Sequence, residues 1–226
     1  MTSVAPKVVR PNIRKLRENA RQATDSRFWR PVLGINKFRI LPGWDPMDPD
    51  GTFFAESVLH YGFKEEGRVK TVPCLAGMKG ETCPACILQN WLKNNGASAL
   101  ANDLKPSLKV YFNIVTRPDN AIRIWGAGGK QRDAILSLME MEEYADCLDP
   151  DNGRDWILVK EGDGKATKYP TLNAVPQTSP VGVEGWMGLM TNLQAEVDAQ
   201  LITREQVIQR IYSTFAAQFP LDQILG

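Results

Sequence analysis

Three of the four cysteines, Cys74, Cys83 and Cys86, stand in the stretch TVPCLAGMKGETCPACILQNW, and the chain has one histidine, His60. Two residues separate Cys83 from Cys86, eight separate Cys74 from Cys83, and thirteen separate His60 from Cys74. Thiolates and imidazoles are the usual ligands of zinc, and a structural site takes four of them in a tetrahedron. The short C-x-x-C pair followed back through a glycine-containing loop to a third cysteine and a histidine fits one zinc ion held by His60, Cys74, Cys83 and Cys86. Other chemistry explains less. C-P-A-C resembles a thioredoxin-type redox pair, but that pair needs a βαβ setting and leaves Cys74 and His60 without a role. A zinc deaminase needs H-x-E with P-C-x-x-C. Here Tyr61 and Gly62 follow His60, and the proline lies between the cysteines. Four protein ligands would also leave no open position for water. Four cysteines in 226 residues do not make a disulfide scaffold, and Cys147 reads as a lone structural thiol.

These ligands need elements to hold them. NKFRIL alternates as a strand, LPGWDPMDPDG (41–51) is a turn-rich loop, and FFAESVLHYGF (53–63) is a strand near whose end His60 stands. Residues 64–86 read as glycine-rich and irregular. CILQNWLKN reads as a short helix ending at Asn95–Gly96. SLKVYFNIV (107–115) and AIRIW (121–125) form a hairpin around TRPDN, and DWILVKEGDGKATKYPTL (155–172) forms another around Gly162–Gly164. RDAILSLMEMEEYA (132–145) reads as an amphipathic helix. A Pro/Gly-rich linker spans 173–186. Residues 187–226 read as two helices packed on the core. The first carries Leu189, Leu193, Val197 and Leu201. The second opens on a Thr203/Gln206 capping signal and presents Val207, Ile211, Phe215 and Phe219. The expected fold is mainly β with peripheral helices, an α+β chain whose strands suit a small, partly open barrel over 31–172 with a metal subdomain at about 60–95.

Alternation divides the first hairpin into two faces. Leu108, Val110, Phe112 and Ile114 take the core face with Ile122 and Ile124. Lys109, Tyr111 and Asn113 take the other, together with Arg123 and Trp125. Aromatic rings stack on bases of any sequence while cations hold phosphates, which is how single strands are bound. Lys168 and Tyr169 of KATKYP extend the same candidate groove, and Lys70, Lys105 and Lys130 complete the set. The net charge of +1 conceals an asymmetry: residues 1–40 carry ten Lys/Arg against two acids. Residues 1–30 form a basic arm with too few apolar residues to fold alone, a pattern suited to a polyanion or an acidic partner surface. The chain is 43% hydrophobic and 23% charged, ordinary for a globular protein. It lacks an 18-residue apolar run and a secretory h-region, so a cytoplasmic protein with no membrane partner is expected.

The run from Ile35 to Ile87, INKFRILPGWDPMDPDGTFFAESVLHYGFKEEGRVKTVPCLAGMKGETCPACI, resembles the core of the T-even-type phage single-stranded DNA-binding (helix-destabilising) proteins. The likeness continues through SLKVYFNIV, AIRIW and DWILVKEGDGKATKY to FAAQFPLDQILG, covering roughly residues 30–226. It implies an OB-fold with an inserted zinc subdomain, His60, Cys74, Cys83 and Cys86 as ligands, and single-stranded DNA in a basic cleft between the two. It places Arg68 at a cleft position after Gly67, and Lys109 and Tyr111 in a basic-aromatic strand. It gives the arm, with Arg14, Lys15 and Arg17, the task of joining neighbouring protomers. Two departures stand out. Val69 occupies a position where the family has an aromatic, and the family's long acidic tail, which recruits replication proteins, has no counterpart before the final Gly226.

The expected function is therefore a non-catalytic, sequence-independent single-stranded DNA-binding protein of phage replication, recombination and repair, working in the host cytoplasm. No nucleophile–base pair or phosphate-cradling glycine motif suggests an enzyme. The alternatives are a zinc-containing nuclease, which would need carboxylates clustered in a cleft, and an RNA-binding zinc-ribbon module. The acids between Glu140 and Asp151 instead read as a solvated face.

Overall fold

The computed structural model describes residues 27–65 and 68–225. Among the described residues, eight strands form one sheet: β1 (Phe28–Trp29), β2 (Gly34–Ile40), β3 (Phe54–Glu65), β4 (Arg68–Pro73), β5 (Ser107–Thr116), β6 (Ala121–Gly128), β7 (Arg154–Glu161) and β8 (Lys168–Thr178). Their order is β1-β6-β5-β2-β7-β8, with β3 paired to β5 and β4 paired to β3. No pairing among the described residues joins β8 back to β1, so the fold is a mixed α+β arrangement built on an open sheet. No described helix is long and apolar enough to cross a membrane.

The helices fall between and after the strands. α1 (Leu75–Lys79), α2 (Pro84–Asn94) and α3 (Ser98–Asp103) lie between β4 and β5; α4 (Gly129–Met139) follows β6; α5 (Trp186–Leu189), α6 (Leu193–Asp198), α7 (Arg204–Phe215) and α8 (Leu221–Leu225) close the chain. The stretch read as irregular, 64–86, therefore contains a strand and a helix. Its glycines serve close approach and helix ending: Gly80 caps α1 in the left-handed conformation, which glycine adopts without steric cost.

Two apolar clusters define two lobes. The sheet lobe buries Phe38, Ile40, Val110, Phe112, Ile114, Trp125, Trp156 and Leu158 on one face, closed by Ile135 of α4. The second lobe gathers Phe63, Val72, Cys74, Leu75, Cys83, Leu88 and Leu92 with Val207, Ile211 and Phe215 of α7. The C-terminal helices thus divide their allegiance. α7 and α8 pack on the second lobe, whereas Leu193 and Val197 of α6 pack on the opposite face of the sheet, against Ala55, Tyr111 and Ile124.

The single long helix expected around Leu189–Leu201 is broken into α5 and α6. Asn113 donates to the Thr191 carbonyl at 2.8 Å and accepts the Thr191 N–H at 3.1 Å. Asn192 then starts α6 afresh by accepting the Ala195 N–H at 3.0 Å. Leu189 is left 59% exposed. The expected linker differs too, because residues 173–178 continue β8. Val181 beyond it is buried, held by Arg117, which donates to the Val181 and Pro180 carbonyls while pairing with Asp155. The helix expected over 132–145 starts earlier and ends earlier, at Met139, with a short 3-10 turn at Glu142–Tyr144. The Thr203/Gln206 capping box at the start of α7 is present, each side chain bonded to the other's backbone N–H.

Candidate metal centre and the cationic seam

β3 runs through both lobes. Phe54–Leu59 pair with β5, and the strand then turns its far half to β4, with a register shift between His60 and Phe63. His60 sits at that handover and is fully buried. Its Nδ1 lies 2.6 Å from the Leu104 carbonyl oxygen. A carbonyl only accepts, so Nδ1 carries the proton and Nε2 is left as the free donor atom, the usual outer support of a metal-bound histidine.

The cysteines come to His60 on helix starts. Cys74 is the residue ahead of α1, and its Sγ accepts the Gly77 N–H at 3.4 Å. Its own N–H is bonded to the Val58 carbonyl at 2.8 Å. Helix α1 can press onto β3 because Gly77 has no side chain: a Cβ there would lie 2.9 Å from Val58 Cβ. Cys83 precedes α2, Pro84 opens that helix, and Cys86 falls in its first turn. Thiolates are favoured near helix N-termini by the unpaired N–H groups and the helix dipole.

The four donor atoms lie within 4.8 Å of one another. Cys74 Sγ is 3.5 Å from Cys86 Sγ, and Cys83 Sγ and Cys86 Sγ are each 3.5 Å from His60 Nε2. Bond lengths of about 2.3 Å to sulfur and about 2.05 Å to nitrogen give tetrahedral edges of about 3.8 Å (S to S) and about 3.6 Å (S to N). The donor spacing therefore suits one four-coordinate ion. Crowding polarises the thiols: Cys83 is drawn down to about 3 by the Cys86 thiol and His60, and Cys86 is pushed up by Cys83 and by burial. Cys147 takes no part. It is buried in the sheet lobe, and burial pushes its thiol up to about 11.

The expected nucleic-acid face is only partly on the surface. β5 and β6 pair with Phe112 opposite Trp125 and Asn113 opposite Ile124. Directly opposed residues share a face, so Trp125 lies with Phe112 in the core and Ile124 lies with Tyr111. The reading of β6 was inverted by one residue, which flips every side chain. Trp125 is 2% exposed. Arg123 is buried and paired with Asp119 and Thr116. Tyr111, assigned correctly to the face away from Phe112, is covered by α6; its hydroxyl donates to Gln200 at 3.2 Å, and burial raises its pKa. β5 has one polar-looking face, but Leu193 and Val197 of α6, distant in sequence, bury it.

Three of the expected cations stand near the Lys109–Gly128 end of the β5–β6 pairing, next to the metal lobe or α4. Lys105 is exposed and follows Leu104, whose carbonyl holds His60. Lys109, half-buried, pairs across to Gly128 and donates to the Gly126 carbonyl at 2.6 Å; burial lowers its pKa. Exposed Lys130 lies in the first turn of α4, which abuts Leu108 at Gly129. Lys105 and Lys109 flank the start of β5, and Lys130 stands two residues beyond Gly128, the partner of Lys109. Lys70 is exposed on β4, and Lys168 is exposed on β8, the far edge of the sheet. Tyr169 is half-buried against the inner cluster. Arg14, Lys15 and Arg17, and the side chain of Arg68, lie outside the described residues. Leu104 and Gly77 were missed as supports of the centre. The glycine two residues past Leu75 was a usable signal for close packing, whereas nothing local marks the Leu104 carbonyl. No protein-family model and no curated protein matches the chain.

Proposed function

We propose that the chain is a non-catalytic, sequence-independent single-stranded DNA-binding protein, built as an OB-type sheet with a zinc-stabilised lobe inserted between β3 and β5. One observation carries the reading. β3 belongs to both lobes and places His60 at the junction, where its Nδ1 holds the Leu104 carbonyl, so the metal cluster braces the segment that leads into Lys105 and Lys109. That is the arrangement implied by the resemblance to the T-even-type phage proteins. Zinc suits a His-Cys₃ donor set, and bound there it would supply folding free energy to the lobe rather than reactivity.

Single-stranded DNA would run along the seam, with Lys105, Lys109 and Lys130 on phosphates. Tyr111 and Trp125 would act as core residues rather than stacking platforms, because both are buried. The basic arm would link neighbouring protomers through Arg14, Lys15 and Arg17. The free thiols suit the reducing host cytoplasm.

The test is anisotropy of labelled oligo-dT, compared with duplex DNA and RNA of the same length, across a salt series. Tighter binding to the single DNA strand is expected. Lys105→Ala and Lys130→Ala should each reduce the slope of log affinity against log salt by up to about 0.7. Equal affinity for all three nucleic acids, or unchanged slopes, would sink the reading.

A further inference from the structure

The four donors are not equivalent toward solvent. His60, Cys74 and Cys83 are buried, whereas Cys86 is partly exposed. Two sulfurs crowd Cys86 Sγ: Cys74 Sγ, at 3.5 Å, and that of Cys83 in the same C-x-x-C pair. An attacking reagent therefore reaches Cys86 first, and a second thiol is already within reach of it. We propose that Cys86 is an oxidant-sensitive modification site, at which hydrogen peroxide drives formation of a Cys74–Cys86 disulfide that is mutually exclusive with metal binding. The inference rests on the metal reading only for the ion that would be expelled.

The chemistry balances. Once it has given up its proton, the Cys86 sulfur attacks one peroxide oxygen, the S–O bond forms, the O–O bond breaks, and hydroxide leaves to become water. The Cys74 thiolate then attacks the Cys86 sulfur, the S–S bond forms, and the S–O bond breaks with release of a second hydroxide. Two thiolates, one peroxide and two protons give one disulfide and two waters. Two electrons pass from sulfur to oxygen. Cys83 and His60 are then the remaining donors, too few for a four-coordinate site. The new bond would join the start of α1 to the first turn of α2 and so preserve a link between them.

Trypsin makes the pairing legible. Cleavage after Lys79 puts Cys74 on one peptide and leaves Cys83 and Cys86 together on the next. The experiment treats the purified full chain with hydrogen peroxide, follows metal release with a chromogenic chelator, and maps peptides without reduction. Expected are the two peptides joined with loss of two hydrogens, about one metal released per joined pair, and retention of the joined pair in Cys83→Ser. In Cys74→Ser, a sulfenic-acid trap should label Cys86. A bond confined to the Cys83–Cys86 peptide, or metal release without joined peptides, would overturn the proposal. Joined peptides from a protein that carried no metal would uphold the oxidation while refuting the metal reading.

Discussion

Trp125 separates a structural from a DNA-contacting role most sharply. The ring is 2% exposed. Its centroid lies 5.0 Å from Phe38, 5.6 Å from Phe112 and 6.0 Å from Trp29. Truncating such a side chain removes a large apolar surface and leaves a cavity whose rigid aromatic walls cannot all move inward. Phe/Trp→Ala changes of this kind cost about 3–5 kcal/mol. For a chain of this size that is a fall of about 6–20 °C in midpoint, at about 2–4 °C per kcal/mol. Trp125→Ala should therefore appear in urea or thermal unfolding, while the fraction that stays folded at low temperature binds oligo-dT almost as tightly as the parent. Trp125→Phe should recover most of the stability. A variant with parental stability and strongly weakened binding would refute the argument and return Trp125 to the DNA surface.

Gly77→Ala should loosen the metal lobe by about 1–3 kcal/mol of overpacking against Val58, read as a lower metal affinity in competition with a chelator while the sheet lobe keeps its unfolding midpoint. Cys147 should resist alkylation in the native protein at neutral pH, since burial raises its pKa to about 11 and the thiolate is the reactive form; modification should appear only on denaturation, and rapid native labelling would contradict its placement. Deleting residues 1–25 should lower cooperativity on long single strands far more than affinity for an oligonucleotide covering one site. Equal loss on both lengths, at the same salt, would make the arm an ordinary phosphate contact.

The metal cluster was legible because its signal is local: residue types with little other use, at spacings short enough for a loop to close. His60 joined the set as the only histidine in the chain. Most strands were legible for a similar reason, since alternation in β2 and β5 marks the inner-face residues Phe38, Ile40, Val110, Phe112 and Ile114. The faces of β6 were not, because Ile122, Ile124 and Trp125 are all apolar and only the register Phe112–Trp125 decides between them. Tyr111 looked exposed because the residues covering it, Leu193 and Val197, come from distant sequence. The break between α5 and α6 was hidden likewise, being made by Asn113 on a strand. Long-range packing overrode local pattern in each case.

The central claim is that one metal-braced lobe supports single-strand binding at the seam. The direct test measures oligo-dT affinity of one preparation as purified, after chelation, and after stoichiometric zinc is restored, with metal content determined at each stage. The account predicts one zinc per chain, weaker binding when it is removed, and recovery when it returns. Cys83→Ser should stay weak throughout. Metal-free protein that binds oligo-dT as tightly as the zinc-loaded form would contradict it.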